Sequence, residues 1–142
     1  MNLTFSNSSK GTNTDEIKKF ETKFQIILPT EYIEFLLKFN GGTPNKVYFI
    51  EDDADLVINF FLSLGDSKFN IEEYYLDMVI EQKLLPKGIL PIGEDAFGNI
   101  ICLSCRAEDY GVVYFWDHES ENELRELSKS FSFILDNLKD EL

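Results

Sequence analysis

The sequence predicts a single α+β domain in which helices pack against a mainly antiparallel sheet. Its 142 residues are the length of one ordinary domain, and 44% hydrophobic residues are enough for one core. Some segments repeat apolar residues with helical spacing, and the segments between them resemble short strands. These segments follow one another without an internal repeat or an interdomain linker, which favours one layered structure.

The N-terminal segment predicts an arm that precedes the domain. Residues 1–14 are rich in Ser, Asn, Thr and Gly, and we expect them to form a flexible arm. Leu3 and Phe5 are apolar exceptions that would attach this arm to the body of the protein. The domain itself is predicted over residues 15–142.

Two helices are predicted in the N-terminal third of the domain. From Asp15, apolar residues recur at i, i+3 and i+7, and Leu28-Pro29 ends this first helix. The second helix follows Pro29 and ends at Asn40-Gly41-Gly42, whose glycines accept the positive φ that closes a helix. We expect the two helices to form a short paired unit.

The middle of the chain predicts strands interrupted by one helix. The predicted elements are strands at 47–50 and 56–64, a helix over 70–83, an extended piece at 89–92, and strands at 100–104 and 112–116. The last two strands are joined by a polar connection, so we expect them to pair antiparallel.

The C-terminal segment predicts a long helix that lies on the sheet. Ser120 and Glu123 have the spacing of a capping box, which marks the first turn of a helix. The apolar residues that follow would form one stripe: Leu124, Leu127, Phe131, Ile134, Leu135 and Leu138.

The composition disfavours several classes of binding partner and a disordered chain. The chain has 26 Asp and Glu against 13 Lys and Arg, a formal net charge of −13. Direct binding to nucleic acid is disfavoured because phosphate contacts require Lys and Arg, and anionic membrane surfaces are disfavoured for the same reason. A content of 14% aromatic residues argues against an acidic disordered chain.

The sequence also predicts a cytoplasmic protein. It contains no apolar run of about 18 residues, the length needed to span a membrane. The first residues lack the basic start and apolar core of a signal peptide. Only two cysteines are present, too few for the disulfide framework of a small secreted domain, so we expect reduced thiols.

The two cysteines and the single histidine allow two interpretations each. Cys102 and Cys105 have CxxC spacing, which can serve thiol redox chemistry or, with Asp117 and His118, a zinc site. They lie on a predicted strand, where positions i and i+3 face opposite sides, so burial in the core is favoured.

His118 is a candidate general base, but no nucleophile accompanies it, and a turn histidine with local hydrogen bonds is favoured.

Two carboxylate clusters are candidate cation sites. The first comprises Glu51, Asp52, Asp53 and Asp55, and the second is Glu94-Asp95. Counted from Asp53, the chain lacks the ligand spacing of a calcium-binding loop, so solvated turns are favoured for both clusters. Phosphate-binding glycine loops are also absent. We therefore predict no catalytic residues, no cofactor and no metal, and expect that the protein is not an enzyme.

Four motifs in one order resemble the SUKH superfamily, which includes yeast cell-wall-assembly regulators and many bacterial immunity proteins. They are a Leu-Pro, tyrosine and Asn-Gly-Gly series, a central turn, a strand ending in Trp-Asp-His, and a closing Ser-Phe, Phe-Ile-Leu pattern, together covering Asp15 to Leu138. The residues of this signature are Leu28, Pro29, Tyr32, Asn40, Gly41, Gly42, Pro91, Gly93, Gly98, Gly111, Asp117 and Phe131. The resemblance implies an α+β fold, no catalytic residues and a protein-binding role.

The resemblance together with the charge predicts an immunity protein. It would neutralise a cognate polymorphic toxin, with a basic nuclease favoured, through an acidic surface. Candidate contact residues are Glu51, Asp52, Asp53, Asp55, Glu94, Asp95, Tyr48, Tyr110 and Trp116. The alternative is an intracellular regulatory or scaffold module similar to the yeast relatives, and a small metal-dependent or thiol enzyme is a third class.

Overall fold

A six-stranded antiparallel sheet, whose strands follow one another in chain order, forms the centre of the fold. The structure, a computed structural model, describes residues 3–51, 54–65, 67–120 and 123–140. The strands of this sheet are Tyr48–Glu51 (β3), Ala54–Phe61 (β4), Ile89–Asp95 (β5), Ile100–Ser104 (β6), Val113–Trp116 (β7) and Leu124–Ser128 (β8). Two further strands, Phe5–Ser6 (β1) and Thr43–Pro44 (β2), form a separate antiparallel pair.

Within the described ranges, four helices accompany the sheet. They are Thr14–Phe24 (α1), Thr30–Lys38 (α2), Ile71–Tyr75 (α3), which continues as a π-helix over Leu76–Glu81, and Phe131–Asp136 (α4). A short 3-10 turn spans Ala107–Asp109. The predicted α+β class, the two N-terminal helices and the antiparallel pairing of β6 with β7 are confirmed.

The central strands of the sheet are covered on both faces. Every residue of β6 is buried, and β5 is buried except at Glu94. Because alternate residues of a strand face opposite sides, burial of consecutive residues requires packing on both. Helix α3 packs against β5, and α2 packs against α4.

Aromatic rings connect the N-terminal segment, α2, the sheet and α4. The ring centroid of Phe35 lies 5.1 Å from that of Phe131, 5.4 Å from that of Phe61 and 5.5 Å from that of Phe5. Edge-to-face pairs at such distances add to the free energy gained by burial. The contacts of Phe5, together with the burial of Leu3, attach part of the segment predicted as an arm to the core.

The Asn-Gly-Gly motif that follows α2 connects three parts of the chain. The buried side chain of Asn40 donates to the carbonyl oxygens of Lys10 (2.9 Å) and Leu64 (2.8 Å), and accepts from the Leu64 backbone N–H (2.8 Å). Gly41 and Gly42 both have positive φ. The motif therefore has a packing role, which explains its residue types without reference to a ligand.

A C-terminal helix is present, but its predicted start at Ser120 is wrong. Residues 124–128 form strand β8, and α4 begins only at Phe131. The β7–β8 pairing contains a bulge, because Val113 pairs with Ser128 whereas Tyr114 pairs with Glu126. The bulge leaves Leu127 and Ser128 buried side by side, so the strand lacks the alternation from which strands are predicted.

One buried hydroxyl group leads to a stability prediction. Tyr32 is completely buried, and its hydroxyl has no hydrogen-bond partner among the residues that the structure describes. Burial raises the pKa of Tyr32 well above its usual value. We expect Tyr32→Phe to raise the free energy of unfolding by about 1 kcal/mol, since it removes the unpaired hydroxyl and keeps the ring. Urea denaturation measures the change.

Tyr75→Phe is the matched control for this prediction. Tyr75 is also buried, but its hydroxyl accepts a hydrogen bond from the Gly88 backbone N–H at 3.0 Å. Its removal leaves that N–H without a partner, so this variant should be less stable than the wild type. Equal shifts of the same sign in both variants would contradict the assignment of an unpaired Tyr32 hydroxyl.

Candidate protein-binding site

Three connections between strands lie at one end of the six-stranded sheet. Because its strands are consecutive and antiparallel, the β3–β4, β5–β6 and β7–β8 connections share one end, and the β4–β5 and β6–β7 connections share the other. Pairing within the sheet supports this placement, since the Ala96 N–H at the start of the β5–β6 turn donates to the Val57 carbonyl on β4 (2.8 Å).

This end of the sheet is acidic. We define the acidic end by its described acidic residues, which are Glu51, Asp55, Asp95, Asp117, Glu119 and Glu123. In the sequence, the ranges 51–55, 95–99 and 117–123 contain no Lys or Arg. The candidates Asp52 and Asp53 lie outside the described residues. The strand order thus places Glu51 and Asp55 at the same end of the sheet as Asp95, from which they are distant in the sequence.

A network of hydrogen bonds fixes the β5–β6 turn. One carboxyl oxygen of Asp95 accepts from the backbone N–H groups of Phe97 (2.9 Å) and Asn99 (2.8 Å). The other carboxyl oxygen accepts from the Asn99 side-chain amide (3.0 Å). Gly98 supplies the positive φ that this tight turn requires. Both Asp95 and Asn99 are buried, so the turn is held by its own side chains.

His118 connects this turn to the β7–β8 connection. The Asn99 side-chain oxygen accepts from the His118 backbone N–H (3.1 Å) and lies 2.6 Å from the Nδ1 of its ring. The ring is partly exposed, and its Nε2 lies 3.8 Å from a Glu119 carboxyl oxygen. His118 is therefore a turn histidine with local hydrogen bonds, which is the interpretation that the sequence favoured.

Phe97 stands at the tip of the fixed turn and was not among the predicted contact residues. Its side chain is 73% exposed, a value that only Ile27 shares among the large apolar residues described. A signal for it was present in the sequence. In an Asp-x-x-Gly turn, the Asp and the Gly on either side of the aromatic residue form the turn itself. The aromatic residue then stands at the tip of the turn, and its side chain points away from the core.

Two of the predicted contact residues do not face solvent. Trp116 is 7% exposed and belongs to the core, so the structure does not support it as an anchor for a partner. The other residues of β7 are also buried, except for Tyr114, which is partly exposed. Asp95 is 4% exposed, and its carboxyl group orders the β5–β6 turn.

The remaining candidates are distributed over the sheet. Tyr48 is half-buried on β3, where its backbone pairs with Lys139. Glu94 is half-buried beside Tyr74, and burial raises the pKa of its carboxyl group. Tyr110 lies at the opposite end of the sheet, where its hydroxyl donates to the Ile27 carbonyl (2.9 Å). Glu51 and Asp55 are exposed at the acidic end.

The thiols do not have the environment of redox cysteines. Cys102 is buried on β6, and Cys105 follows the end of that strand. Burial raises the pKa of both thiols, that of Cys105 to about 12, whereas thiol redox chemistry uses a thiolate formed near neutral pH. Within the described ranges, His, Cys, Asp and Glu side chains form no group of three or more suited to a metal ion.

Comparison with known proteins identifies the family. Residues 11–137 match the sequence model of the SMI1 / KNR4 family (SUKH-1), a range that includes α1 to α4 and every strand of the six-stranded sheet. The chain is also 28% identical over 149 aligned residues to the SPbeta prophage-derived uncharacterized protein YokK of Bacillus subtilis (strain 168). That alignment covers 91% of this chain and 76% of the relative. None of the helices in the described parts of the chain has the length and apolar character needed to cross a membrane. Because the family match covers most of the chain and includes all the signature residues, the protein belongs to the SMI1 / KNR4 family (SUKH-1).

Proposed function

We propose that this protein is an immunity protein that binds and neutralises a cognate polymorphic toxin through the acidic end of its sheet. The observation that supports this most directly is the convergence of three acidic connections whose sequences contain no Lys or Arg. Membership of the SMI1 / KNR4 family supports an immunity-like or regulatory role. The proposed role requires binding and occlusion, and no catalytic step.

A basic nuclease is the toxin class that fits this surface. Nucleases hold phosphate groups with Lys and Arg, and a concentrated set of carboxylates competes for the same groove. Opposite potentials on the two surfaces accelerate association, and salt screens this attraction. The complex should therefore form more slowly as the salt concentration rises from about 50 to about 500 mM.

The first experiment tests the role itself. The tagged protein is used to capture partners from lysates of the cells that produce it, and each captured protein is then expressed alone and together with this chain. We expect a basic protein that is toxic alone and harmless in the presence of this chain. Capture of several proteins, none of them toxic, would contradict the immunity role and favour the regulatory scaffold.

Neutralising the acidic end provides the sharper prediction. The triple variant Glu51→Gln, Asp55→Asn and Glu119→Gln should lower the association rate with the captured toxin by about tenfold at low salt. All three side chains are exposed, so folding should be unaffected. Stopped-flow or surface-based kinetics at two salt concentrations measure the effect.

The matched control removes the same number of carboxylates elsewhere. Glu34, Glu73 and Glu81 are exposed and lie outside the acidic end, and their replacement by Gln removes the same net charge. At about 0.1 M salt this variant should associate within about twofold of the wild-type rate, because screening there limits the reach of surface charge to about 10 Å. Equal losses in both triple variants would show that net charge alone matters, and would contradict the proposed surface.

A further inference from the structure

We propose that Phe97 is the apolar anchor of the acidic end and enters an apolar pocket, ringed by Lys and Arg, on a basic protein partner. The inference rests on the proposed use of the acidic end as a binding surface, and it adds the kind of pocket that the partner must present. Its starting point is the exposure of Phe97, since a phenylalanine that is 73% exposed leaves a large apolar area in water.

The position of Phe97 has the arrangement of an interface hot spot. Protein interfaces gain most of their binding energy from a few central aromatic or Arg side chains, surrounded by polar contacts that exclude water. By strand order, Phe97 stands on the middle of the three connections, with the β3–β4 connection (Glu51, Asp55) on one side and the β7–β8 connection (Asp117, Glu119) on the other. An apolar centre with an acidic rim is complementary to an apolar pocket with a basic rim.

The turn presents Phe97 in a fixed backbone conformation. The buried Asp95 carboxyl group accepts from the Phe97 N–H, and Asn99 connects the turn to His118. Because the backbone is already fixed, binding restricts only the two side-chain torsions of the ring. The conformational entropy lost on binding is therefore small. The two side chains that hold this backbone, Asp95 and Asn99, are buried, whereas Phe97 is exposed.

The charge around Phe97 favours a basic partner over a second copy of this chain. Two copies docked through their acidic ends would bring like charges together, which costs free energy. An anionic lipid surface would be repelled in the same way. A cationic protein surface gains both the burial of the ring and attraction to the rim, and its Lys or Arg side chains can also lie over the ring face.

Crosslinking from position 97 tests the anchor even while the identity of the partner is unknown. Phe97→p-benzoylphenylalanine places a photoreactive aromatic group at the same site, and Ile27→p-benzoylphenylalanine is the control. Ile27 is equally exposed but lies beside Tyr110 at the opposite end of the sheet. After irradiation in the cells that produce the protein, we expect a crosslink from position 97 to a basic protein and none from position 27.

Affinity measurements with the partner protein that the crosslink identifies complete the test. Phe97→Ala should raise the Kd by about 30-fold or more, mainly through faster dissociation, whereas Ile27→Ala should stay within about twofold of the wild type. The Phe97→Ala variant should unfold at the same temperature as the wild type, because its side chain is outside the core.

Failure of the anchor can be distinguished from failure of the immunity role. A crosslinked protein that is basic but harmless when expressed alone would contradict the immunity role and support the anchor. No crosslink from position 97, a crosslink to a second copy of this chain, or an unchanged Kd for Phe97→Ala would overturn the anchor.

Discussion

Gly42→Ala is expected to lower the free energy of unfolding by about 3 kcal/mol or more. Gly42 has φ +104, a region that residues with a side chain rarely adopt. A Cβ at this position would lie 2.5 Å from the Ser6 carbonyl oxygen and 2.9 Å from the Ser8 backbone nitrogen. Backbone atoms cannot rotate away from such a contact, so the N-terminal segment would have to move.

The position of Gly42 in the fold makes that movement costly. Its N–H donates to the Phe61 carbonyl (3.0 Å), and its carbonyl accepts from the Phe61 N–H (2.8 Å), so Gly42 is fixed against β4. The Gly41 carbonyl accepts from the Ser8 hydroxyl (2.7 Å) on the other side. Displacement would therefore disturb the N-terminal segment, whose Phe5 ring packs against Phe35 in the core.

Gly111→Ala is the control that separates strain from steric overlap. Gly111 also has positive φ, but no described atom lies within 4 Å of a Cβ at that position. Its replacement should cost about 1 kcal/mol, the strain of the left-handed conformation alone. Urea denaturation of both variants gives the comparison, and equal losses would refute the steric part of the explanation.

Elements fixed by local periodicity were predictable, and those fixed by contacts between distant residues were not. Helix α1 is capped by Asn13, next to its predicted start at Asp15, and α2 begins after Pro29 and ends before Asn40-Gly41-Gly42 as predicted. The end of α1 is earlier than the predicted Leu28-Pro29, because Gln25 adopts a left-handed conformation that its residue type does not signal. The start of α4 is different. Ser130 accepts from the Phe133 N–H, but the carboxyl group that completes the cap belongs to Glu31 on α2, which accepts from the Phe131 N–H (2.8 Å). Ser130 is a local signal, but the contribution of Glu31 depends on tertiary packing and has no counterpart in the nearby sequence.

The candidate site shows the same division. Glu51 and Asp55 were recognised as a cluster because they are neighbours in the sequence, as were Glu94 and Asp95. Their grouping with Asp117 and Glu119 depends on strand order, which the sequence did not reveal. The burial of Trp116 depends on the same sheet, since a terminal strand residue is exposed or buried according to what covers it.

Asp109→Asn is expected to lower the free energy of unfolding by about 2 kcal/mol at neutral pH. The Asp109 carboxyl group lies in the β6–β7 connection, at the end of the sheet opposite the acidic end. It accepts from the Tyr114 hydroxyl (2.6 Å), the Ser104 hydroxyl (2.5 Å) and the Arg106 Nε (3.1 Å), and it forms an ion pair with the Arg106 guanidinium. An Asn amide would place donor hydrogens against these donors and would remove the charge.

The loss should depend on pH with a defined sign. The pKa of Asp109 lies well below its usual value of 3.8, and the hydrogen bonds from Arg106 are the largest cause. A carboxyl group whose pKa is lower in the folded state stabilises the protein above its unfolded pKa, and this contribution disappears as the pH falls toward the folded pKa. The stability difference between wild type and Asp109→Asn should therefore be constant from about pH 7 to about pH 5 and shrink below about pH 4.

Urea denaturation at several pH values measures this difference, with Glu108→Gln as the control. Glu108 is the neighbouring acid, but its side chain is 72% exposed and lies 3.9 Å from Arg106, so its replacement should have little effect at any pH. A difference for Asp109→Asn that stays constant down to about pH 3 would show that the charge does not contribute.

Because this cluster and the acidic end lie at opposite ends of the sheet, Asp109→Asn should bind a partner with unchanged affinity while it remains folded. A variant that is less stable but binds normally would establish that the two ends of the sheet serve folding and recognition separately.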